Sequence, residues 1–188
     1  MSVTPWKRLS SKVVFTTPWF SIRQDTCQLP DASVIDDYYV AQRPDAVCIF
    51  ALTEDNRAIV NTQYKHGIGK VCREFPAGMI DTNEDPLHAA QRELEEETGY
   101  RAKEWISLGK LIVSPTSANN YDHVFLALEC TPTGVQLNDA REEIEHELVS
   151  VSQLVKNVYV GELNIIWVIS AVHLALPHLV KRGIIDRI

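Results

Sequence analysis

The sequence of 188 residues lacks the long apolar segment that a membrane protein or a secreted precursor would carry. Its longest apolar run, Leu163–Leu176, is interrupted by Asn164 and His173, and a bilayer span takes about 20 apolar residues. Residues 1–11 hold no apolar core of a secretory signal. We therefore expect a cytoplasmic protein without a membrane partner.

Cysteine and clustered basic residues are scarce as well. The four cysteines stand far apart without a CxxC pair, and the six histidines do not cluster, so neither a zinc site nor a disulfide framework is predicted. Lys and Arg number 18 against 25 Asp and Glu, and they form no basic stripe interleaved with aromatics. Nucleic acid is therefore not an expected partner.

Acidic residues are concentrated in one short segment. Between Asp81 and Glu97 there are seven acidic residues and one base, Arg92, so this segment carries −6 of the formal net charge of −7. Like charges this close repel one another unless something compensates for them. The segment is therefore either a solvated helix face or a site for a hard divalent cation, which prefers carboxylate oxygens.

Capping signals place this acidic segment on a helix. Asp85 followed by Pro86 is typical of a helix start, and Gly99 is typical of a helix stop, so we predict a helix over Pro86–Thr98. Three carboxylates spaced i, i+3 and i+4 then converge on one flank of the helix, those of Glu93, Glu96 and Glu97. This spacing favours the cation site over a plain solvated face.

Residues 78–100, GMIDTNEDPLHAAQRELEEETGY, resemble the Nudix box GX5EX7REUXEEXGU, in which U is aliphatic or aromatic. Every specified position is filled, by Gly78, Glu84, Arg92, Glu93, Leu94, Glu96, Glu97, Gly99 and Tyr100. A chance match to the seven fixed residue types has a frequency well below about one in ten million per starting position. The resemblance implies a Nudix hydrolase, with an α/β fold in which an α/β/α sandwich surrounds a mixed β-sheet.

The same resemblance implies a role for each residue of the box. Glu93 and Glu97 would be the main ligands of Mg²⁺ or Mn²⁺, with Glu96 close by and the carbonyl of Ala77 as a further ligand. The resemblance also implies that Arg92 and Glu96 are catalytic residues. Arg92 and Glu84 would together orient the glutamates of the helix. The structural members of the box are Gly78, Glu84 and Gly99.

Residues flanking the box narrow the substrate class. The segment Glu74-Phe75-Pro76-Ala77-Gly78 and the later Pro115 resemble the group of ADP-ribose pyrophosphatases and nucleoside diphosphate sugar hydrolases. Thr116 departs from that group's loop, which leaves room for a sugar nucleotide other than ADP-ribose. The expected substrate contacts are Arg73, Glu74, Lys65, Asn119 and Asn120, and ordinary strand surface is the alternative for Arg73 and Lys65.

A second acidic patch lies late in the chain. In the resembling group, a glutamate two residues before an isoleucine acts as metal ligand or general base, and Glu142 stands two residues before Ile144. Glu142 is therefore the predicted catalytic carboxylate, with Glu143 and Glu145 as competitors. A solvated charge run remains the alternative.

Residues 1–42 precede the predicted Nudix domain of residues 43–188. Short strands are predicted over Lys12–Phe15, Trp19–Gln28 and Val34–Ala41. In the resembling group such an extension forms a small sheet that packs across a dimer, and two or three strands alone are marginal in water. A homodimer is therefore predicted.

Near the other end of the chain, we expect a strand over Glu147–Val151 and a long buried helix over Glu162–Leu179.

Three functions are compatible with these patterns. The leading hypothesis is Mg²⁺-dependent hydrolysis of ADP-ribose or a related nucleoside diphosphate sugar, so the expected partner is a small nucleotide. The second is a (d)NTP pyrophosphohydrolase on the same scaffold. The third is a nucleotide-binding sensor without catalysis, and the intact box argues against it because a binder need not keep every metal carboxylate.

Overall fold

The computed structural model describes residues 3–134, 136 and 143–186, which fall into two compact units. The first unit comprises the chain up to Asp45 together with Ile112–Tyr121, and the second comprises Ala46–Leu111 and the chain from Asp122 onward. No described helix is long and apolar enough to cross a membrane.

The first unit is a three-stranded antiparallel sheet with the order β1-β2-β3. Its strands are β1 (Lys7–Thr16), β2 (Ser21–Gln28) and β3 (Val34–Gln42). The first strand is therefore longer than the sequence predicts, and each of its residues is exposed. The segment of residues 112–121 joins this unit through a bridge between Ala41 and Ala118.

The second unit is built on an eight-stranded mixed sheet. Its strands are β4 (Ala46–Thr53), β5 (Arg57–Lys65), β6 (Lys70–Glu74), β7 (Ala77–Met79), β8 (Tyr100–Arg101), β9 (Glu104–Ile112), β10 (Tyr121–Pro132) and β11 (Ile144–Ser150). The main order is β11-β5-β4-β10-β8, with β6 on β5, β7 on β4 and β9 on β10. Strands β4 and β10 run parallel, whereas β5 pairs antiparallel with β4, β6 and β11.

Helices cover both faces of this sheet, which confirms the α/β/α sandwich. They are α1 (Pro86–Thr98), α2 (Val151–Tyr159) and α3 (Ile166–Lys181). Alternate residues of a strand point to opposite faces. Val47, Ile49 and Ala51 of β4 accordingly pack in the cluster that contains α1 residues, while Cys48, Phe50 and Leu52 pack in the cluster with α2 and α3 residues. The nearly continuous apolar sequence of β4 follows from burial on both faces.

The helix α1 has the bounds that its capping residues predict. The carboxylate of Asp85 accepts a hydrogen bond from the backbone N–H of Leu87, and Pro86 occupies the first turn. Gly99 ends the helix in the left-handed region at a φ of 68°, where its N–H donates to the carbonyl of Glu95 at 2.8 Å. Glycine adopts this conformation without the steric penalty of a Cβ.

The bounds predicted near the C-terminus need correction. Strand β11 spans Ile144–Ser150, and Val151 already begins α2, for which the Ser150 hydroxyl is the N-cap. Helix α3 begins at Ile166 rather than at Glu162, because the backbone N–H groups of Glu162 and Leu163 both donate to the carbonyl of Asn157 in the preceding turn.

Candidate active site

The glutamates of α1 differ in how far they reach into the protein. Ala89, Ala90 and Leu94 fix the buried face of the helix against the sheet. Glu97 lies at the edge of that face and is only 6% exposed, and the Glu93 side chain, one turn earlier, is 13% exposed. The Glu96 side chain is 41% exposed and lies toward solvent. Two of the three predicted carboxylates are therefore held inside the protein.

Glu97 is held by two hydrogen bonds from the sheet. One of its carboxylate oxygens accepts from the side-chain amide of Asn61 on β5 at 2.9 Å and from the backbone N–H of Ala77 on β7 at 3.0 Å. Burial raises the pKa of Glu97 to about 8, and the nearby carboxylates of Glu93 and Glu74 add to this effect. A cation bound here would favour the ionised form of this carboxylate.

Gly78 allows Glu93 to approach the backbone of β7. A Cβ added to Gly78 would overlap the carboxyl carbon and both carboxylate oxygens of Glu93. The Glu93 carboxylate therefore lies directly against the backbone at Gly78, next to the residue whose N–H binds Glu97. The absence of a side chain at position 78 brings the two carboxylates to one stretch of β7.

Arg92 connects the loop before α1 to the glutamates of the helix. Its guanidinium binds both carboxylate oxygens of Glu84 at 3.0 Å and donates to Glu93 at 2.8 Å, to Glu96 at 3.1 Å and to the carbonyl of Met79 at 3.2 Å. These five bonds match the five N–H donors of an arginine. The contact with Arg92 also lowers the pKa of Glu84. This geometry suits a residue that positions its neighbours.

The carboxylate oxygens at this site suit a hard divalent cation that the protein coordinates only in part. Among the described residues, no group of three or more His, Cys, Asp or Glu side chains is arranged to hold a metal ion. The carboxylates of Glu93 and Glu97 nevertheless meet at the Ala77–Gly78 backbone, as the hydrogen bond to Ala77 and the contact at Gly78 establish. Mg²⁺ is usually bound by one or two carboxylates together with water and substrate phosphates. Two inward carboxylates are therefore a suitable protein contribution.

A small pocket of about 190 Å³ adjoins this stretch of backbone. Its walls include Ala77, Gly78, Lys65, Glu74, Asp122 and Trp167. The ammonium of Lys65 lies 2.6 Å from a carboxylate oxygen of Glu74, whose side chain is 4% exposed. The pocket therefore combines a positive group with carboxylates beside the glutamates of α1.

The other predicted substrate residues, Arg73, Asn119 and Asn120, do not line this pocket. The guanidinium of Arg73 lies 2.5 Å from Glu147 and 3.8 Å from Glu162. Arg73 and Glu74 are consecutive in β6, so their side chains project to opposite sides of the strand. Asn119 accepts a hydrogen bond from the backbone of Arg43, and it belongs with Asn120 to the first unit.

Glu142, the predicted catalytic carboxylate, lies outside the described residues. Its two competitors, Glu143 and Glu145, are described and exposed. Glu145 lies on β11, where it pairs with Thr62 of β5.

Three residues of this region were not singled out from the sequence, namely Asn61, Asp122 and Trp167. Asn61 interrupts the apolar run of β5 and is 2% exposed, and a polar residue at such a buried position is the signal that could have revealed it. The strand register places it opposite Glu74 of β6. Asp122 and Trp167 carry no comparable signal, because the tertiary fold alone brings β10 and α3 to the pocket.

Comparison with known proteins agrees with this geometry. Residues 42–166 match the family described as NUDIX domain, and residues 6–41 match the nucleoside diphosphate sugar hydrolase N-terminal domain. The chain therefore belongs to the Nudix family and is a Nudix hydrolase.

Individual relatives extend over most of the chain. An ADP-ribose pyrophosphatase of Bacillus subtilis is 30% identical over 148 residues, which are 79% of this chain and 77% of the relative. An ADP-ribose pyrophosphatase of Mycobacterium tuberculosis is 30% identical over 148 residues, or 78% and 68% of the two chains. A crystal structure of an ADP compounds hydrolase superposes with a TM-score of 0.87 at 22% identity, covering 98% of this chain and 100% of the other, and so shares the fold.

Proposed function

We propose that this chain hydrolyses the pyrophosphate bond of ADP-ribose or a related nucleoside diphosphate sugar in a Mg²⁺-dependent reaction, giving a nucleoside monophosphate and a sugar phosphate. The observation that carries the proposal is the meeting of the Glu93 and Glu97 carboxylates at the Ala77–Gly78 backbone, beside the pocket with Lys65. The two relatives named ADP-ribose pyrophosphatases support the substrate class.

Glu93 and Glu97 would hold the Mg²⁺ ion, with Glu96 and the Ala77 carbonyl as further ligands. When bound, the cation supplies positive charge to the phosphate oxygens and lowers the pKa of water. Arg92 is a positioning residue in this proposal, because its bonds to the carboxylates of the helix and the preceding loop restrict where those carboxylates lie.

The reaction adds one water across the phosphoanhydride bridge. A bond forms between the water oxygen and one phosphorus, the bridging P–O bond breaks, and a base takes a proton from the water. We assign the base to Glu142, with Glu143 and Glu145 as alternatives. Lys65 would contact phosphate oxygens, and Asn119 and Asn120 stay predicted contacts for sugar hydroxyls.

The test of this function is a substrate panel with the purified chain. We expect kcat/KM for ADP-ribose or another diphosphate sugar to exceed that for every dNTP under one Mg²⁺ concentration, and activity to disappear when a chelator removes the metal. A dNTP preferred over every diphosphate sugar by about tenfold or more, which is about 1.4 kcal/mol of transition-state binding, would instead assign the (d)NTP pyrophosphohydrolase activity. Binding without hydrolysis of any substrate in the panel would assign a sensor.

Glutamine substitutions in the late acidic patch identify the base. If Glu142 takes the proton, Glu142→Gln should lower kcat more than Glu143→Gln or Glu145→Gln, because each change removes one carboxylate and almost no volume. The measurement is kcat at saturating substrate and Mg²⁺ for the three variants in parallel. A larger loss at Glu143 or Glu145 would transfer the role to that residue.

We also propose that the chain forms a homodimer through its first unit. Strand β1 exposes four large apolar side chains, each between 45% and 60% accessible, namely Leu9, Val13, Val14 and Phe15. Exposed apolar side chains concentrated on one strand mark an interaction surface.

Light scattering at micromolar concentration should therefore give twice the chain mass of 21.2 kDa. Val13→Lys should shift the protein toward monomer, because it places a charge among the apolar side chains that β1 exposes. Val3→Lys is the matched control at a valine that is 98% exposed and lies before β1, and it should leave the dimer intact. A parent protein that is monomeric at this concentration would contradict the proposal.

We infer a cytoplasmic location from the thiols. All four cysteines are free, and Cys27, Cys48 and Cys130 are buried. Unpaired cysteines are typical of proteins in a reducing compartment.

A further inference from the structure

Asn61 is an unfavourable residue for the stability of the sheet at its position. It follows three buried apolar residues of β5 and is only 2% exposed. Its side-chain oxygen, Oδ1, is buried and has no hydrogen-bond partner among the described residues. A buried acceptor left unpaired destabilises a protein by roughly 1–3 kcal/mol, and an apolar β-branched residue would suit such a strand better. The presence of an amide here is therefore better explained by what its nitrogen does.

The nitrogen of Asn61 binds one particular oxygen of Glu97. Asn61 Nδ2 donates to Oε2 of Glu97 at 2.9 Å, and the backbone N–H of Ala77 donates to the same oxygen at 3.0 Å. A carboxylate has about four acceptor positions on its two oxygens, so these two donors fill one oxygen. The other oxygen, Oε1, accepts no hydrogen bond from a described residue. The side-chain oxygens that are both buried and unpaired belong to other described residues, so Oε1 keeps some contact with solvent.

Both donors to Glu97 are uncharged, in contrast to the partners of the neighbouring carboxylates. Glu93 pairs with the guanidinium of Arg92 at 2.8 Å, and Glu74 pairs with the ammonium of Lys65 at 2.6 Å. Within the described part of the chain, Glu97 has only the two neutral donors and no salt bridge. A neutral donor orients a carboxylate without neutralising its charge. The charge of ionised Glu97 is therefore left for a cation that binds at Oε1.

We infer that Asn61 is a positioning residue for the cation site. Together with the backbone N–H of Ala77, it holds Oε2 of Glu97, so that Oε1 is the oxygen presented to the divalent cation. This inference rests on the proposed function, in which Glu97 is a ligand of Mg²⁺. Asn61 thus strengthens cation binding and, through its unpaired Oδ1, weakens the metal-free fold.

The test replaces Asn61 in two ways and measures the Mg²⁺ requirement and the stability separately. Asn61→Val removes the donor and supplies an apolar residue suited to a buried strand, so the metal-free protein should unfold at or above the temperature of the parent. Asn61→Ala removes the donor but leaves a cavity, so it should unfold at a lower temperature. Both variants should need about tenfold more Mg²⁺ for half-maximal activity, and this change should exceed any loss of kcat at saturating Mg²⁺.

Thermal unfolding without substrate gives a second readout, which does not depend on catalysis. Mg²⁺ should raise the Tm of the parent relative to a sample with a chelator, because a ligand that binds only the folded state stabilises it. At Mg²⁺ concentrations well above the dissociation constants, a tenfold weaker affinity reduces this stabilisation by about 1.4 kcal/mol. Mg²⁺ should therefore raise the Tm of both variants less than that of the parent, although their metal-free stabilities differ.

Asn157→Ala is the matched control. Asn157 is another buried asparagine of the second unit, at 3% exposed, but its side chain bonds to Gln153 within α2 at 2.6 Å and does not contact Glu97. This variant should unfold at a lower temperature than the parent. Its Mg²⁺ requirement should be that of the parent.

The outcomes separate the role of Asn61 from a general effect on stability. If the Mg²⁺ requirement rose in Asn61→Ala and Asn157→Ala but not in Asn61→Val, weaker binding would follow from lost stability, and the positioning role would be overturned. A change of less than about twofold in both Asn61 variants would overturn it as well. So would a failure of both to fold, because Asn61 would then be required for the fold itself.

The same measurements distinguish this inference from the proposed function. A parent protein that hydrolyses no diphosphate sugar, but whose Tm rises with Mg²⁺ and does so less in both Asn61 variants, would contradict the proposed substrate and support the role of Asn61. A parent protein that responds to Mg²⁺ neither in activity nor in Tm would overturn both.

Discussion

Glu97→Gln should lower kcat at least about a hundredfold and leave the fold intact, a loss comparable to that from removing one group that stabilises transition-state charge. The substitution removes a negative charge from the proposed cation site and changes almost no volume. The glutamine oxygen can still accept the bonds that Asn61 and Ala77 donate to Glu97, so the local backbone should not move. The measurement is kcat at saturating Mg²⁺ and substrate.

Glu95→Gln is the matched control on the same helix. Glu95 pairs with Arg101 at 2.7 Å instead of lying against the backbone of β7, so the same chemical change should leave kcat within about twofold. If Glu97→Gln kept activity within about threefold of the parent, Glu97 would not be a metal ligand. An equal loss in both variants would indicate a general effect of charge on the helix.

The raised pKa of Glu97 predicts a second effect of Glu97→Gln, on the stability of the metal-free protein. The carboxyl has an ordinary pKa of 4.5 and a pKa of about 8 in the folded chain. The folded state therefore keeps a proton that the unfolded chain releases, and the free energy of unfolding should fall as the pH rises between these two values. Each pKa unit corresponds to about 1.4 kcal/mol, so the total effect is several kcal/mol.

Glu97→Gln removes the titrating group, so the decrease between pH 5 and pH 8 should be much smaller in this variant. Chemical denaturation in the presence of a chelator, at a series of pH values, measures the difference. Identical pH profiles for the parent and the variant would show that Glu97 titrates normally in the folded state.

Gly78→Ala should reduce kcat about a hundredfold, as expected for losing a group that helps to stabilise transition-state charge, while the protein still folds. The new Cβ would occupy the space of the Glu93 carboxylate, which is the flexible end of its side chain and can move away. Folding is then only slightly affected, but the carboxylate leaves its position against the backbone of β7 and no longer meets Glu97 there. Steady-state kinetics over a range of Mg²⁺ concentrations should show a lower kcat together with weaker activation by the metal.

Gly67→Ala is the control for a glycine replaced elsewhere. A Cβ at Gly67 would have no heavy atom within 4 Å, and its backbone does not have the positive φ that would strain an alanine. This variant should match the parent in kcat and in thermal stability. Activity of Gly78→Ala close to that of Gly67→Ala would contradict the proposed placement of Glu93.

The parts of the site that could be predicted from the sequence depend on local geometry. The bounds of α1 follow from Asp85, Pro86 and Gly99, because capping bonds join residues within one turn of the helix. The spacing of Glu93 and Glu97 likewise determines that they share a flank, because neighbours on a helix surface are three or four residues apart. The Nudix box lies entirely within this local structure, so its motif identified the family without any knowledge of the sheet.

Arg73 shows where a sequence-based inference needed the strand geometry. Its position next to Glu74 suggested a common role, but consecutive residues of a strand point to opposite sides, and Arg73 pairs with Glu147 and Glu162. The start of α3 is a second feature that the sequence pattern could not locate. Its apolar pattern continues upstream of Ile166, whereas its start depends on backbone bonds to Asn157 that hydropathy does not reveal.

By itself, then, the sequence determined the family, the mixed α/β sandwich and the helix that carries the glutamates, because each of these depends on spacings of a few residues. The tertiary structure alone decided which carboxylates are buried and what surrounds them. Asn61 and Glu97 are 36 positions apart, and Trp167 meets Cys48 across 119 positions. Contacts over such separations depend on how strands and helices pack, so the pairing that holds Glu97 and the pocket that contains Trp167 became visible only in the folded chain.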